Sequence, residues 1–252
     1  MIKFFRKIRQ NLLMENKTGK YFKYAIGEII LVVIGILIAL SINNWNEHRK
    51  TQINQEKYLL LLKEEALKNI NAIENAKDNI KLTMEGQLGL LELIDGNQDT
   101  ISENYLSKLL LKTVVYTTKF NYENSVLSEL KTSGELKNIR NDSIRNNLIA
   151  IEPLVVNSKN QEEFIIEDFE TVGQLINEKG NRRRILVDND IMPDKARDSI
   201  SNIPILRVKE FENHLISYVG SCYGIVNRHY PRLDSHLKTL VILIDKELEN
   251  IK

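Results

Sequence analysis

The sequence has few of the residues that interrupt helices or build disulfides and metal sites. Its 252 residues include four prolines, eleven glycines and one cysteine. A single cysteine, Cys222, excludes an internal disulfide and any Cys-x-x-Cys metal site. Scarce proline and glycine in a chain of this length favour long helices over many short strands. We therefore expect an all-α fold.

Excess charge and catalytic motifs are also missing. The formal net charge is +1, whereas non-specific nucleic-acid binding needs an excess of lysine and arginine to neutralise phosphates. No glycine-rich phosphate loop, dinucleotide fingerprint, nucleophile elbow or paired Glu-x-x-His motif occurs. The sequence therefore predicts no nucleic-acid partner, no cofactor, no metal and no enzymatic activity.

One long apolar run is present. Residues 29–42 read IILVVIGILIALSI, and with residues 24–28 the segment has 19 residues. That length is about enough to cross a hydrocarbon core of ~30 Å at ~1.5 Å per residue. Phe22 lies at one end and Trp45 at the other, and such aromatics favour membrane interfaces. We predict a transmembrane helix over residues 24–45, with the lipid bilayer as a partner.

Flanking charge predicts the orientation. Seven lysines and arginines precede the span and only Glu15 opposes them, whereas acids and bases alternate after it. Positive charge stays in the cytoplasm, so residues 1–23 are predicted to be a basic cytoplasmic stub and residues 46–252 an extracytoplasmic helical domain. The stub is either an amphipathic helix on the inner leaflet or a disordered tail that sets topology.

A cleaved signal peptide is the alternative to a permanent anchor. Ala39 and Ser41 resemble a small-residue cleavage site. The basic stretch is long for a signal peptide, however, and the apolar segment exceeds the usual h-region. We therefore favour the anchor.

Three segments carry a resemblance to a known family. They read MIKFFRKIRQNLL, YAIGEIILVVIGILIALSINNWN and, over residues 127–148, LSELKTSGELKNIRNDSIRNNL. The chain resembles an uncharacterised family of small single-span membrane proteins from Bacteroidota. The resemblance implies a protein of the bacterial inner (plasma) membrane of a Gram-negative cell. The orientation predicted from the flanking charges then puts the C-terminal domain in the periplasm. It implies no activity and no functional residues.

Apolar residues recur at spacings of three and four along most of residues 46–252, as in helices. We expect helices over residues 46–94, 102–115 and 125–132, a loop over 117–124, and a polar loop over 181–206. A heptad-like, coiled-coil seam follows Ile144, Leu148, Ile151, Val155, Ser158, Glu162, Ile165, Phe169, Val172 and Ile176. It should kink at Pro153, and a last helix over 208–248 should kink near Pro231. The predicted fold is a transmembrane helix followed by an antiparallel bundle of long kinked helices.

Small residues and one acid are the candidate sites inside the span. Gly27, Gly35 and Ala39 lie close to one helical face, and small residues four apart allow helices to approach closely in lipid. They predict either self-association or packing against another membrane protein. The alternative is that they reflect only the high content of small residues that is usual in transmembrane helices. Glu28 is a carboxylate in an apolar segment, hence a candidate functional group. Its place near the inner interface equally fits a tolerated, solvated acid.

Two further clusters stand out in the domain. Arg182, Arg183 and Arg184 follow Gly180 in the predicted loop, and their forked donors suit an anionic partner. A merely solvated loop is the alternative. Cys222, His229 and His236 recur every seven residues, but seven helical residues span ~10.5 Å, too far for ligands of one zinc ion. We therefore predict packing roles for these three.

The sequence predicts a non-catalytic, membrane-anchored helical scaffold or interaction module of the bacterial envelope. An extracytoplasmic ligand-sensing subunit that signals through a partner is the first alternative. An enzyme with an unrecognised site is the second.

Overall fold

The computed structural model describes residues 18–96, 100–115, 119–193 and 200–251. These residues form helices joined by irregular segments and contain no strand, which confirms the all-α prediction. The amphipathic stub predicted within residues 1–17 lies outside the described residues. The helices are α1 (Thr18–Asp95), α2 (Glu103–Val115), α3 (Ser125–Thr132), α4 (Asp142–Lys179), α5 (Arg182–Asp188), α6 (Lys209–Gly224) and α7 (Tyr230–Ile251).

Shorter elements complete the described chain. Two 3-10 turns cover Glu135–Asn138 and Ile203–Arg207, and a π-helical segment covers Ile225–His229. The chain divides into two compact units, residues 1–56 and residues 57–252. Helix α1 contains both the apolar run and the first helix of the second unit, and it ends at Asp95, as the Asp-Gly-Asn turn predicts.

Hydrogen bonds between α4 and α7 fix their relative direction. Asn141 at the start of α4 donates to Glu247 near the end of α7. Further along α4, Glu162 accepts from Tyr230 at the start of α7. The two helices are therefore antiparallel.

Within the second unit, α1 runs antiparallel to α6 and α7. Lys63 pairs with Asp245 at 2.5 Å, whereas Gln87, further along α1, contacts Cys222. The predicted antiparallel packing is thus found among the long helices of the second unit.

The predicted seam of α4 forms the centre of this unit. Nine of its ten positions are buried, and Phe169 is the exception. That ring is half-buried at the edge of the core, so the burial that its seam position predicts is wrong for Phe169. Pro153 is exposed, and the helix continues through it as predicted.

Helix α2 approaches α1 closely because two residues of α1 lack a side chain. A Cβ atom on Gly86 would lie 2.8 Å from Lys112 Cβ and 2.9 Å from the Leu109 carbonyl oxygen. A Cβ atom on Gly89 would lie 2.7 Å from Leu109 Cδ2. The glycines therefore set the distance between the two helices.

Helix α3 is capped from outside its own sequence. Its N-cap residue, Asn124, makes no side-chain capping bond. The buried carboxylate of Glu65 on α1 instead accepts hydrogen bonds from the Val126 backbone N–H at 2.7 Å and the Ser125 hydroxyl at 3.2 Å. A carboxylate satisfies N–H groups that have no partner in the first turn and interacts favourably with the helix dipole.

Two expectations about the C-terminal half need correction. Residues 181–206 are not simply a loop, because they contain α5 and a 3-10 turn. Asn181 caps α5 by accepting from the Arg184 N–H, and Ile185 is buried in the core. The last helix, expected to be one element with a kink near Pro231, contains a π-helical segment that ends at His229.

Candidate functional site

The apolar run of α1 packs against no other described residue of the first unit. Every residue from 29 to 50 is exposed, and the large apolar side chains between Ile29 and Ile42 are each 46 to 66% exposed. This segment is long and apolar enough to span a membrane. A core helix of a soluble protein would bury its apolar side chains, and this one does not. Arg49 stacks over the Trp45 ring at 5.7 Å.

The predicted small-residue face lies on this exposed segment. No atom lies within 4 Å of a Cβ built on Gly27 or Gly35, and Ala39 is exposed. Glu28 is half-buried and interacts within the chain. The face is therefore open to another helix, and its role in assembly stays a prediction.

The arginine cluster lies on α5 and is partly engaged within the chain. Arg184 pairs with the Asp188 carboxylate at 2.8 Å, and Arg182 donates to the Asn177 side chain at 3.2 Å. Arg183 is half-buried and also has a partner. These three residues lie on a helix and not in the predicted loop, and docking of an anionic partner stays a prediction.

A buried polar pair lies where the C-terminal helices meet α4. Tyr230, the first residue of α7, is fully buried, and its hydroxyl donates to Glu162 at 2.8 Å. The Phe120 ring packs edge-on against the Tyr230 ring, with the centroids 5.9 Å apart. Burial raises the pKa of Glu162, although the Tyr230 bond, a Phe120 backbone bond and the nearby lysines Lys159 and Lys119 oppose the shift. Burial thus favours the protonated form of this carboxyl group, and the two lysines favour the charged form.

A cavity of about 320 Å³ adjoins Glu162. Lys119 and Lys159 line it together with Phe120 and Tyr122. Glu163 also lines this cavity. The arrangement therefore combines a protonatable carboxyl group with two lysines and a second carboxylate.

Hydrogen bonds from α4 support the turn that precedes the π segment. Gln161 donates to the Ser221 carbonyl at 3.0 Å, and the Ser221 hydroxyl donates to Asp168 at 2.6 Å. A Cβ on Gly224 would lie 3.3 Å from Gln161 Nε2, so glycine leaves room for this bond. π-Helical turns are frequent at functional sites, so this junction is a candidate functional site.

Cys222 and the two histidines lie along the same junction. The thiol is fully buried, and burial raises its pKa to about 12, so it carries no thiolate at neutral pH. No cluster of three or more metal-ligating side chains occurs among the residues that were placed. His229 and His236 are half-buried.

Comparison with known proteins places part of the chain in context. Residues 28–148 match a family of unknown function (DUF6090). No curated protein and no solved structure matches the chain. The match covers the apolar run, Glu65 and the helix that it caps, and the beginning of α4. The resemblance to an uncharacterised family is confirmed over these residues, and the junction at residues 225–229 lies beyond them.

Sequence reasoning missed the Glu162–Tyr230 pair. Glu162 stands in the seam at a position that predicts burial, and a buried carboxylate needs a hydrogen-bond partner. That signal was available. The partner of Glu162 could not be predicted, because Tyr230 lies five residues after the buried Ile225 and so does not continue the three-and-four spacing of the flanking helices.

Proposed function

We propose that this protein is a membrane-anchored, non-catalytic helical interaction module of the bacterial inner membrane. The exposed apolar run of α1 carries the proposal, because its side chains are covered only if lipid or another helix surrounds them. The second unit has a core of its own, to which the long helices α1, α4, α6 and α7 contribute. A folded helical domain attached to a membrane helix suits the holding of a partner protein, or of further copies of the chain, at the membrane.

The charge difference across the span supports an N-terminus in the cytoplasm and a packed domain in the periplasm. Alkaline phosphatase fused to the C-terminus should be active, and a fluorescent protein that matures only in the cytoplasm should be dark. The reverse pattern would overturn the orientation. Intact mass of the membrane-extracted protein tests the signal-peptide alternative, because cleavage would remove the N-terminal residues.

The Gly35 and Ala39 face tests the interaction role of the span. Helix association in lipid depends on close van der Waals contact, so Gly35→Leu should weaken association measured by a membrane two-hybrid assay or crosslinking. Leucine inserts favourably, so membrane extraction should be unchanged. Val33→Leu, on another face, is the matched control. Equal association of Gly35→Leu and the parent would leave all contacts to the second unit.

A second candidate is a ligand-sensing subunit that signals through a partner. A cavity of about 600 Å³ beside Pro231 favours it, because this volume suits a small molecule. Co-purification from membranes with mass spectrometry separates the candidates from an enzyme. Both interaction and sensing require a stoichiometric partner or self-assembly, and a monomer with catalytic turnover would contradict both.

A further inference from the structure

An open cavity of about 600 Å³ lies along the π-helical junction of the second unit. Leu154 of α4 forms an apolar wall, and the remaining lining comes from the π segment and the start of α7. The polar lining consists of Asn227, Arg228, Arg232, Ser235 and His236. No carboxylate contributes to this lining, although charged residues of both signs are frequent along the chain.

The two arginines are available to a ligand. Both are exposed, and neither makes a hydrogen bond or ion pair with any other residue in the described structure. Arg184, by contrast, pairs with Asp188. Arg228 and Arg232 are four residues apart, and His236 follows after four more. Side chains at this spacing project from the same face of a helix.

The local electrostatics agree with an unneutralised positive site. Burial lowers the pKa of His229, and the charges of Arg228 and Arg232 lower it further. The nearby carboxylate of Asp234 pairs with Lys238. The arginine charges therefore remain uncompensated among the residues that the structure describes.

We propose that this cavity, bounded by Arg228, Arg232, Ser235 and His236, binds the phosphate group of a small molecule or lipid headgroup. A single arginine can satisfy both oxygens of a carboxylate, whereas a phosphate offers three acceptor oxygens and up to two charges. Two guanidinium groups on successive turns, with hydroxyl and imidazole donors beside them, match the larger anion. The volume of about 600 Å³ leaves room for the group that bears the phosphate. This inference does not depend on the membrane assignment.

Calorimetry on the full chain in a maltoside detergent, which contains no phosphate, tests the proposal. Inorganic phosphate and pyrophosphate should bind saturably, and sodium acetate at equal ionic strength should not. Arg228→Gln and Arg232→Gln should each weaken binding by about tenfold or more, as expected for the loss of a hydrogen bond to a charged group. Lys246→Gln is the matched control, because it removes one exposed positive charge from α7 outside the cavity, and it should bind as the parent does.

The source of the phosphate group is distinguished with two further ligands. Glycerol phosphate and soluble dihexanoyl phosphatidic acid share the phosphate group and differ in their acyl chains. Tighter binding of the lipid would assign the site to a headgroup, and equal or weaker binding would assign it to a soluble phosphate compound. Binding that is undetectable, equal for acetate, or unchanged in both arginine variants would overturn the proposal. Circular dichroism melts of the variants verify that they are folded.

Discussion

Replacing Gly86 by alanine tests whether the contact between α1 and α2 is as close as described. The added Cβ would lie 2.8 Å from both Lys112 Cβ and Thr113 Oγ1. It would also lie 2.9 Å from the Leu109 carbonyl oxygen, which accepts the Thr113 hydroxyl bond. Two of these atoms belong to the backbone or are attached directly to it, so rotation of a flexible side chain cannot remove the overlap. Helix α2 itself must move.

The magnitude follows from two opposing effects. Overpacking a well-packed core costs ~1 to 3 kcal/mol, whereas alanine favours a helix interior over glycine by up to ~1 kcal/mol. Gly220→Ala in α6 is the matched control, because nothing lies within 4 Å of its added Cβ. The helix preference is common to both variants and cancels when they are compared. The difference between their free energies of unfolding should therefore be ~1 to 3 kcal/mol.

Thermal unfolding of the full chain in detergent, followed by far-UV circular dichroism, measures this difference. In a domain of about 200 residues, 1 kcal/mol shifts Tm by ~2 to 4 °C. Gly220→Ala should melt slightly above the parent and Gly86→Ala below it, with a gap of roughly 2 to 12 °C between the variants. If Gly86→Ala melts at or above Gly220→Ala, α2 does not pack against α1 at this distance.

Three further substitutions test other parts of the second unit. Burial raises the pKa of Glu162 in the folded state, so the stability that its protonated carboxyl group contributes is complete below the ordinary pKa of 4.5 and is lost as pH rises through the folded-state pKa. Glu162→Gln should keep the Tyr230 bond and lose less stability than the parent between about pH 4 and pH 8, as measured by urea denaturation. A pH dependence equal to that of the parent would contradict a buried carboxyl group. Glu65→Ala should lower the free energy of unfolding by ~1 to 3 kcal/mol and speed hydrogen exchange of the Val126 amide. If that amide exchanges as slowly as in the parent, another group caps α3. Phe169→Ala should lower the free energy of unfolding by less than the ~3 to 5 kcal/mol expected for a fully buried phenylalanine. A loss within that range, measured by denaturant titration, would show that the ring lies deeper than described.

The long helices could be predicted because their apolar residues recur at one spacing over many turns. The α4 seam shows this, since nine of its ten positions are buried and the helix passes through Pro153 as expected. Helix α5 was missed because its seven residues are too few to show a period and begin with three arginines. Its signals were local ones, the cap at Asn181 and the buried Ile185.

The candidate sites were harder to predict than the helices. Arg182 to Arg184 form an obvious cluster in the sequence, yet Arg184 is neutralised by Asp188. Arg228 and Arg232 do not stand out in the sequence, and they matter because neither pairs with an acid among the described residues. Which charges are compensated depends on tertiary contacts, and a one-dimensional pattern does not contain these.

The π-helical segment has a consequence for how the chain tolerates changes in length. Buried positions run Phe211, Leu215, Tyr218, Cys222 and Ile225 before it, and Tyr230, Leu233, Leu237, Leu240 and Ile244 after it. Every step is three or four residues except the five from Ile225 to Tyr230. One extra residue in this turn therefore shifts the helical phase, so that the buried faces of α6 and α7 point toward the same partner. Deleting a single residue there would rotate everything downstream by about 100°, turning the core leucines of α7 outward and separating Tyr230 from Glu162.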